Sequence, residues 1–155
     1  MNKNSLLFLT FLLSACSSSP DVNWQHSSTG IFSQTAIQLK SHLWTDQMPK
    51  VAGDDNVAEP KATDKVNGTL VLETSGQLPA DLTLLMLVIK QGNDMWSIPA
   101  SELELRTPSD DIWEVVFKST AELDIERLVS VALGVSDSEG ETWLVEHQVV
   151  IDKVY

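Results

Sequence analysis

From residue 67 to the C-terminus, hydrophobic and polar residues alternate in short runs that turn residues separate. Residues 129–135 carry Val, Val, Leu and Val at every second position, which is the period of a strand with one buried face. Residues 82–90 are apolar on both faces, so we expect a central strand covered on both sides. With about seven such runs, the pattern predicts an all-β antiparallel sandwich.

The other predicted strands are shorter and lie at residues 68–73, 95–98, 103–106, 113–118 and 143–151. Between the predicted strands at residues 113–118 and 129–135, Leu123 and Ile125 are expected to plug one end of the core from a crossing loop. In the last strand an inward face is predicted for one set of residues, namely Trp143, Val145, His147, Val149 and Ile151. Glu146 is predicted to point the other way.

The first half of the chain has a weaker pattern. Residues 36–44 fit either a strand with Ile37, Leu39 and Leu43 buried or a helical turn. Residues 50–66 are polar and acidic, and a loop of this length is typically mobile or functional. Residues 17–35 are rich in Ser, Thr, Gln and Asn, which predicts a flexible tether.

The N-terminus has the three parts of an export signal. A short polar start with Lys3 precedes the apolar residues 6–13, and Ser14 and Ala15 follow directly before Cys16. The apolar run is too short to span a bilayer, which needs about 20 residues. A buried helix is the alternative, but it does not explain why the single cysteine of the chain follows the small residues.

The sequence Leu13-Ser14-Ala15-Cys16 resembles the lipobox of bacterial lipoproteins. This resemblance covers residues 1–16 and implies cleavage before Cys16, acyl chains on that cysteine, and a lipid-anchored protein of the cell envelope that faces the periplasm. In this family an aspartate after the cysteine often retains the protein in the inner membrane of Gram-negative cells. Ser17 at that position favours the outer membrane there.

The predicted organisation is therefore a signal peptide over residues 1–15, a lipidated cysteine and tether over residues 16–35, and one domain over residues 36–155. The crossing loop, long strand, Gly-containing turn and final strand resemble immunoglobulin-like and fibronectin-type-III domains. The Cys-Trp-Cys arrangement of antibody domains is absent, so the resemblance extends to the architecture only.

A net charge of −12 predicts that this chain repels nucleic acid and anionic head groups, so nucleic-acid binding is excluded. We expect the acyl chains, not the charge, to hold the protein at the membrane. Once Cys16 is acylated, no thiol remains for a disulfide, a metal or a nucleophile.

Three residues are weak candidates for a ligand or metal site: His42, Met48 and His147. A His with a Met suits copper, but two ligands in a loop do not make a site. For His147 the alternatives are a hydrogen-bonded histidine at the edge of the core and a ligand or base. The acidic turns around residues 54–59, 110–114 and 137–141 lack the spacing of an EF-hand, so we interpret them as solvated turns.

Hydrolase and nucleotide-binding motifs are absent from the sequence, so we expect no enzyme and no cofactor. Four tryptophans would suit a carbohydrate platform if they were exposed together: Trp44, Trp96, Trp113 and Trp143. Trp113 and Trp143 fall on apolar faces, so core packing is the favoured interpretation. The sequence thus favours a non-catalytic interaction or accessory module with an envelope protein as partner, whose site is an exposed strand edge or the 50–66 loop. The alternative is a periplasmic lipoprotein that binds a small ligand or a metal.

Overall fold

The computed structural model describes residues 19–47, 65–119 and 121–155, and these residues form two β-sheets that pack face to face. Sheet A contains β1 (Thr29–Phe32), β2 (Thr35–Asp46), β3 (Val66–Glu73), β6 (Glu104–Ser109), β7 (Ile112–Lys118) and β10 (Ile151–Val154). Sheet B contains β4 (Thr83–Gln91), β5 (Asp94–Pro99), β8 (Val129–Asp137) and β9 (Gly140–Val149). The predicted all-β sandwich is confirmed.

The strand order is that of an immunoglobulin-like sandwich. In sheet A, β2, β3, β7 and β6 are neighbours in that order, and in sheet B the order is β5, β4, β8 and β9. These correspond to strands A, B, E, D and to C, F, G of an immunoglobulin constant-type domain, with β5 added beside strand C. Two further strands, β1 and β10, share the outer edge of β2, and β10 runs parallel to it.

The core between the sheets follows the predicted alternation. Val131 and Leu133 of β8 are fully buried, as is Leu123 in the loop that crosses between the sheets, so the inward face of β8 and the plug are confirmed. The ambiguous residues 36–44 form a strand, because β2 buries alternate positions along its length. On the central strand β4, the inward Leu87 and the outward Val88 are both buried, so the prediction of cover on both sides is also confirmed.

Strand β6 is more exposed than the sequence predicts. Every residue of Glu104–Ser109 is exposed, whereas Leu103, which precedes the strand, packs against the core. An edge strand has a neighbour on one side only, so alternation alone does not ensure that its apolar residues are covered. Among the described residues, no helix is long and apolar enough to cross a membrane.

The folded domain begins earlier than residue 36, so the predicted tether is too long at its C-terminal end. Val22 and Phe32 are buried, and β1 pairs with the start of β2. Three apolar residues in this stretch, Val22, Trp24 and Phe32, contact strands from the far end of the chain. Local composition does not reveal such contacts.

The prediction that Trp143, Val145 and His147 face inward is wrong. Trp143 and Val145 pack in a second cluster on the outer face of sheet B, and His147 is exposed there. Leu144, between them in sequence, is the residue that enters the core. Val149 points inward as predicted.

A β-bulge explains this change of face. Val131 pairs with Glu146 but Val129 pairs with Val149, so β9 carries one extra residue over this stretch. Gln148 lies at the irregularity with a φ of 56°. The extra residue shifts the alternation by one, which turns the end of β9 inward and lets the chain cross to sheet A as β10.

The turn between β1 and β2 predicts a gain in stability from substitution. Ser33 and Gln34 both have positive φ, at 46° and 67°, and join the paired residues Phe32 and Thr35. Such two-residue turns favour Asn-Gly, because other side chains are strained at positive φ. Replacing Ser33-Gln34 with Asn-Gly should raise the free energy of unfolding by about 1 kcal/mol, measured by urea denaturation.

The turn between β8 and β9 supplies the matched control. Ser138 and Glu139 occupy the same two positions between Asp137 and Gly140 and have no positive φ. Asn-Gly at these positions should leave stability unchanged or lower it. An equal gain in both turns would contradict the strain argument.

Candidate functional site

The N-terminal residues 19–28, which we call the strap, lie across the outer face of sheet B. Val22 is buried there against Val88, Ala132 and Val145, which come from the three strands β4, β8 and β9. This second apolar cluster is separate from the core between the sheets. The strap therefore covers an apolar surface that would otherwise face solvent.

Backbone hydrogen bonds at the end of the strap join the two sheets. The N–H of Val145 in β9 donates to the carbonyl of Ser27 at 3.0 Å, and the N–H of Leu39 in β2 donates to that of Ser28 at 2.7 Å. The strap thus caps part of the free edge of β9 and closes this side of the sandwich.

His147 fastens the strap to sheet B. Its Nε2 lies 2.8 Å from the carbonyl oxygen of Trp24, and its Nδ1 lies 2.9 Å from Oγ of Ser130. A carbonyl only accepts, so Nε2 carries a proton and donates it to Trp24. In the neutral ring Nδ1 then accepts a hydrogen bond from the Ser130 hydroxyl. These contacts fit the alternative of a hydrogen-bonded histidine, but His147 lies on the outer face of sheet B and not at the edge of the core.

Glu146 points away from His147, as predicted. Its Oε2 accepts a hydrogen bond of 2.7 Å from the backbone N–H of Ser41. Ser41 lies on β2 between the residues that pair with β1 and those that pair with β10. The carboxylate therefore fills the gap between these two strands on the edge of β2.

The Ser130–His147 pair resembles two members of a catalytic triad, but its surroundings differ. In the triad a buried carboxylate orients the histidine. Here a backbone carbonyl of the strap does so, and the neighbouring carboxylate of Glu146 is bonded to Ser41. The geometry therefore supports a structural clasp that holds the strap.

A pocket of about 520 Å³ lies next to this clasp. Its walls include Trp24, Lys90, Gly92, Leu128 and His147. The Lys90 ammonium lies 5.3 Å from the centroid of the Trp24 ring, within the range of a cation–π interaction. An exposed apolar side chain, Leu128, thus lies near a half-buried aromatic ring and a half-buried cation. We call this region, with the neighbouring Arg127 and Val150, the corner.

His42 does not share a site with His147. It lies on the outer face of sheet A, where its Nε2 is 3.4 Å from Oδ2 of Asp152 and its ring contacts Trp44 edge to face at 5.4 Å. Met48 lies outside the described residues. Within the described ranges, no group of three or more His, Cys, Asp or Glu side chains is placed to hold a metal.

The structure separates the four tryptophans that a carbohydrate platform would need. Trp96 and Trp113 pack against the core between the sheets, and Trp143 packs in the outer cluster of sheet B. Trp44 lies on the outer face of sheet A beside His42. The four tryptophans therefore do not form one exposed surface.

The acidic turns that the structure describes use their carboxylates locally. Oδ1 of Asp137 accepts from the N–H groups of Glu139 and Gly140, and Oδ1 of Asp111 accepts from the Ser109 hydroxyl. Backbone N–H of Ser138 donates to Asp81, which lowers the pKa of that carboxyl. Hydrogen bonds of this kind stabilise turns and need no metal. Residues 54–59 lie outside the described residues.

The side of the sandwich away from β1, β10 and β9 is open. We call it the open side. Strands β5 and β6 are the edges of sheets B and A there. On β6, Arg106 donates to Glu104, which lowers the pKa of that carboxyl. Along β5 runs a groove of about 760 Å³, whose other wall includes Lys118, Ser119, Ala121 and Glu122.

The hairpin geometry shows which backbone groups of β5 are free. Gly92, with a φ of 59°, and Asn93 form a two-residue turn between the paired residues Gln91 and Asp94. The closing pair of such a hairpin is hydrogen-bonded, and the bonding then alternates along the strand. Met95 and Ser97 therefore direct their N–H and C=O groups away from β4, towards the open side.

Cys16 and the rest of the predicted lipobox lie outside the described residues. Comparisons of the chain with protein-family models, with curated proteins and with solved structures found no match.

Proposed function

We propose that this protein is a lipid-anchored module of the bacterial cell envelope that binds a partner protein and catalyses no reaction. Strand addition at the open edge of β5 is the proposed mode of binding. The observation that carries this proposal is the asymmetry of the sandwich: the strap, β1 and β10 occupy one side, whereas β5 and β6 are exposed edges on the other.

The groove beside β5 indicates the chemistry of the partner. Its walls carry three acidic residues, Asp94, Glu102 and Glu122, and one basic residue, Lys118. Met95, 42% exposed, and Ile98 add apolar surface. An extended segment with lysine or arginine among apolar residues would complement this groove in both charge and shape.

The anchor in this proposal is the acylated Cys16, and Ser17 favours the outer membrane in a Gram-negative host. A ligand-binding or metal-binding lipoprotein has less support. Its candidates His42 and His147 lie on outer faces of different sheets and have different partners.

Substituting Ser97 with proline should reduce partner capture. Proline has no N–H to donate and is tolerated on an edge strand where the N–H faces solvent. Crosslinking in intact cells, followed by purification of the lipidated chain and mass spectrometry, should recover about ten-fold less partner with Ser97→Pro than with the unchanged protein. Ser97→Ala keeps the N–H and is the matched control.

Met95→Lys is a second variant that alters the edge through its side chain and leaves the backbone unchanged. Both variants should keep the melting temperature of the unchanged protein within a few degrees. Equal capture by Ser97→Pro, Met95→Lys and Ser97→Ala, or no partner with the unchanged protein, would exclude binding at β5.

A further inference from the structure

Two large apolar side chains are exposed next to each other at the corner. Leu128 is 53% exposed and Val150 is 58% exposed. They flank Val129 and Val149, which pair across β8 and β9. Side chains of this size that are adjacent and uncovered indicate a contact surface.

Two cations lie beside this apolar pair. Lys90 lies over the ring of Trp24. The guanidinium of Arg127 lies next to Gly92, because a Cβ added to this glycine would be 3.2 Å from Nη2 of Arg127. Among the described residues, ion pairs involve Lys40, Arg106 and Lys153 but neither Lys90 nor Arg127. In a chain with net charge −12, two neighbouring cations without an acidic partner are a local exception.

The chain leading to the predicted anchor keeps this surface close to the membrane. Val22 is fixed on sheet B and is six residues after Cys16 in the sequence. Fully extended, six residues reach roughly 20 Å. Val22 packs on Val88, and Lys90 is the next residue on the same face of β4, so the corner is near the point where the chain leaves the domain.

We propose that the corner formed by Trp24, Lys90, Arg127, Leu128 and Val150 docks on the phospholipid surface that holds the acyl chains of Cys16. This proposal rests on the lipid anchor of the proposed function. Tryptophan prefers the headgroup level, aliphatic side chains enter the boundary with the acyl chains, and lysine and arginine bind phosphates with their stems in apolar surroundings.

The charge of the chain makes this contact local. The acidic groups of the open side, such as Glu102 and Glu122, would be repelled by anionic headgroups. The corner instead combines two cations outside the ion pairs of the described residues with two exposed aliphatic side chains, so docking by the corner would fix which way the sandwich faces.

A single labelled cysteine tests the proposal on the full lipidated chain. Because Cys16 is the only cysteine and would be acylated, Leu128→Cys introduces one free thiol for an environment-sensitive fluorophore. Leu105→Cys on β6 is the matched control, since Leu105 is 43% exposed on the open side. Both proteins are reconstituted into vesicles of phosphatidylethanolamine and phosphatidylglycerol that contain a lipid-borne quencher.

The emission maximum of the label at position 128 should shift to shorter wavelength, and the lipid-borne quencher should reduce its intensity. The label at position 105 should keep the emission of a label in water and should not be quenched. Adding Lys90→Gln and Arg127→Gln should lower the ratio of docked to undocked protein by roughly 25-fold, because each cation near an anionic surface contributes about a factor of five. High salt should act in the same direction.

The contrary outcomes are distinct. If the protein floats with the vesicles but neither label contacts lipid, the anchor stands and docking by the corner is excluded. If both labels are quenched equally, the domain has no preferred face and the proposal is wrong. If the protein does not float with the vesicles, both the anchor and the docking proposal fail.

Discussion

Val131→Asp is expected to prevent folding. Val131 is fully buried on the inward face of β8, where its neighbours are the apolar side chains of the core. Aspartate at this position would place an unpaired charge among them, at a cost of several kcal/mol in addition to the lost valine contacts. A domain of this size has a free energy of unfolding of about 5–15 kcal/mol, so most of its stability would be lost. Circular dichroism and thermal melting would detect the loss.

Val71→Asp is the matched control, because Val71 is a half-buried valine on the outward face of β3. It pairs with Lys40 of β2 on one side and with Glu114 of β7 on the other, so attraction and repulsion of a new carboxylate largely offset each other. Its cost should be about 1 kcal/mol or less, the size of a change in strand propensity. A Val131→Asp protein that melts at the temperature of the unchanged protein would contradict the inward register of β8.

Cys16→Ser is expected to release the protein from the membrane completely. The acyl chains that the lipobox predicts for Cys16 contribute about 0.8 kcal/mol per buried CH₂, and several chains together give stable anchoring. Serine has no thiol to acylate, and the apolar residues 6–13 are too few to span a bilayer. Fractionation after a salt wash, together with metabolic labelling by a clickable fatty acid, measures both consequences.

Ser17→Ala is the control for this change, because it alters the adjacent residue and leaves the thiol in place. It should remain in the membrane fraction and incorporate the fatty acid. A Cys16→Ser protein that still sediments with membranes would show that the lipobox interpretation is wrong.

The parts of the fold that the sequence predicts are those set by local alternation. The inward face of β8 and the plug at Leu123 follow from apolar residues whose spacing is visible over a few positions. Leu105 shows the limit of this signal, because the same alternation on an edge strand left it exposed. Alternation therefore predicts a strand more reliably than it predicts what covers that strand.

The candidate site depends on long-range contacts that no local pattern contains. The hydrogen bond between His147 and Trp24 joins residues 123 positions apart, and a bulge of one residue decides which face His147 occupies. Gln148, which has left-handed φ in that bulge, is not a residue type that predicts it. Lys90 and Arg127 likewise come together only through the pairing of β4 with β8.

The pairing of β10 with β2 also has a consequence for the time at which the domain is complete. Ile151 pairs with Leu43, and the strap is held by residues 143–147, so the first described residues bind to residues that are made much later. A ribosome delivers the N-terminus first, and distant contacts form slowly because a long loop must close. Until Ile151–Val154 has been synthesised, the outer edge of β2 has no strand beside its second half, so β2 is made early but gains its final neighbour late.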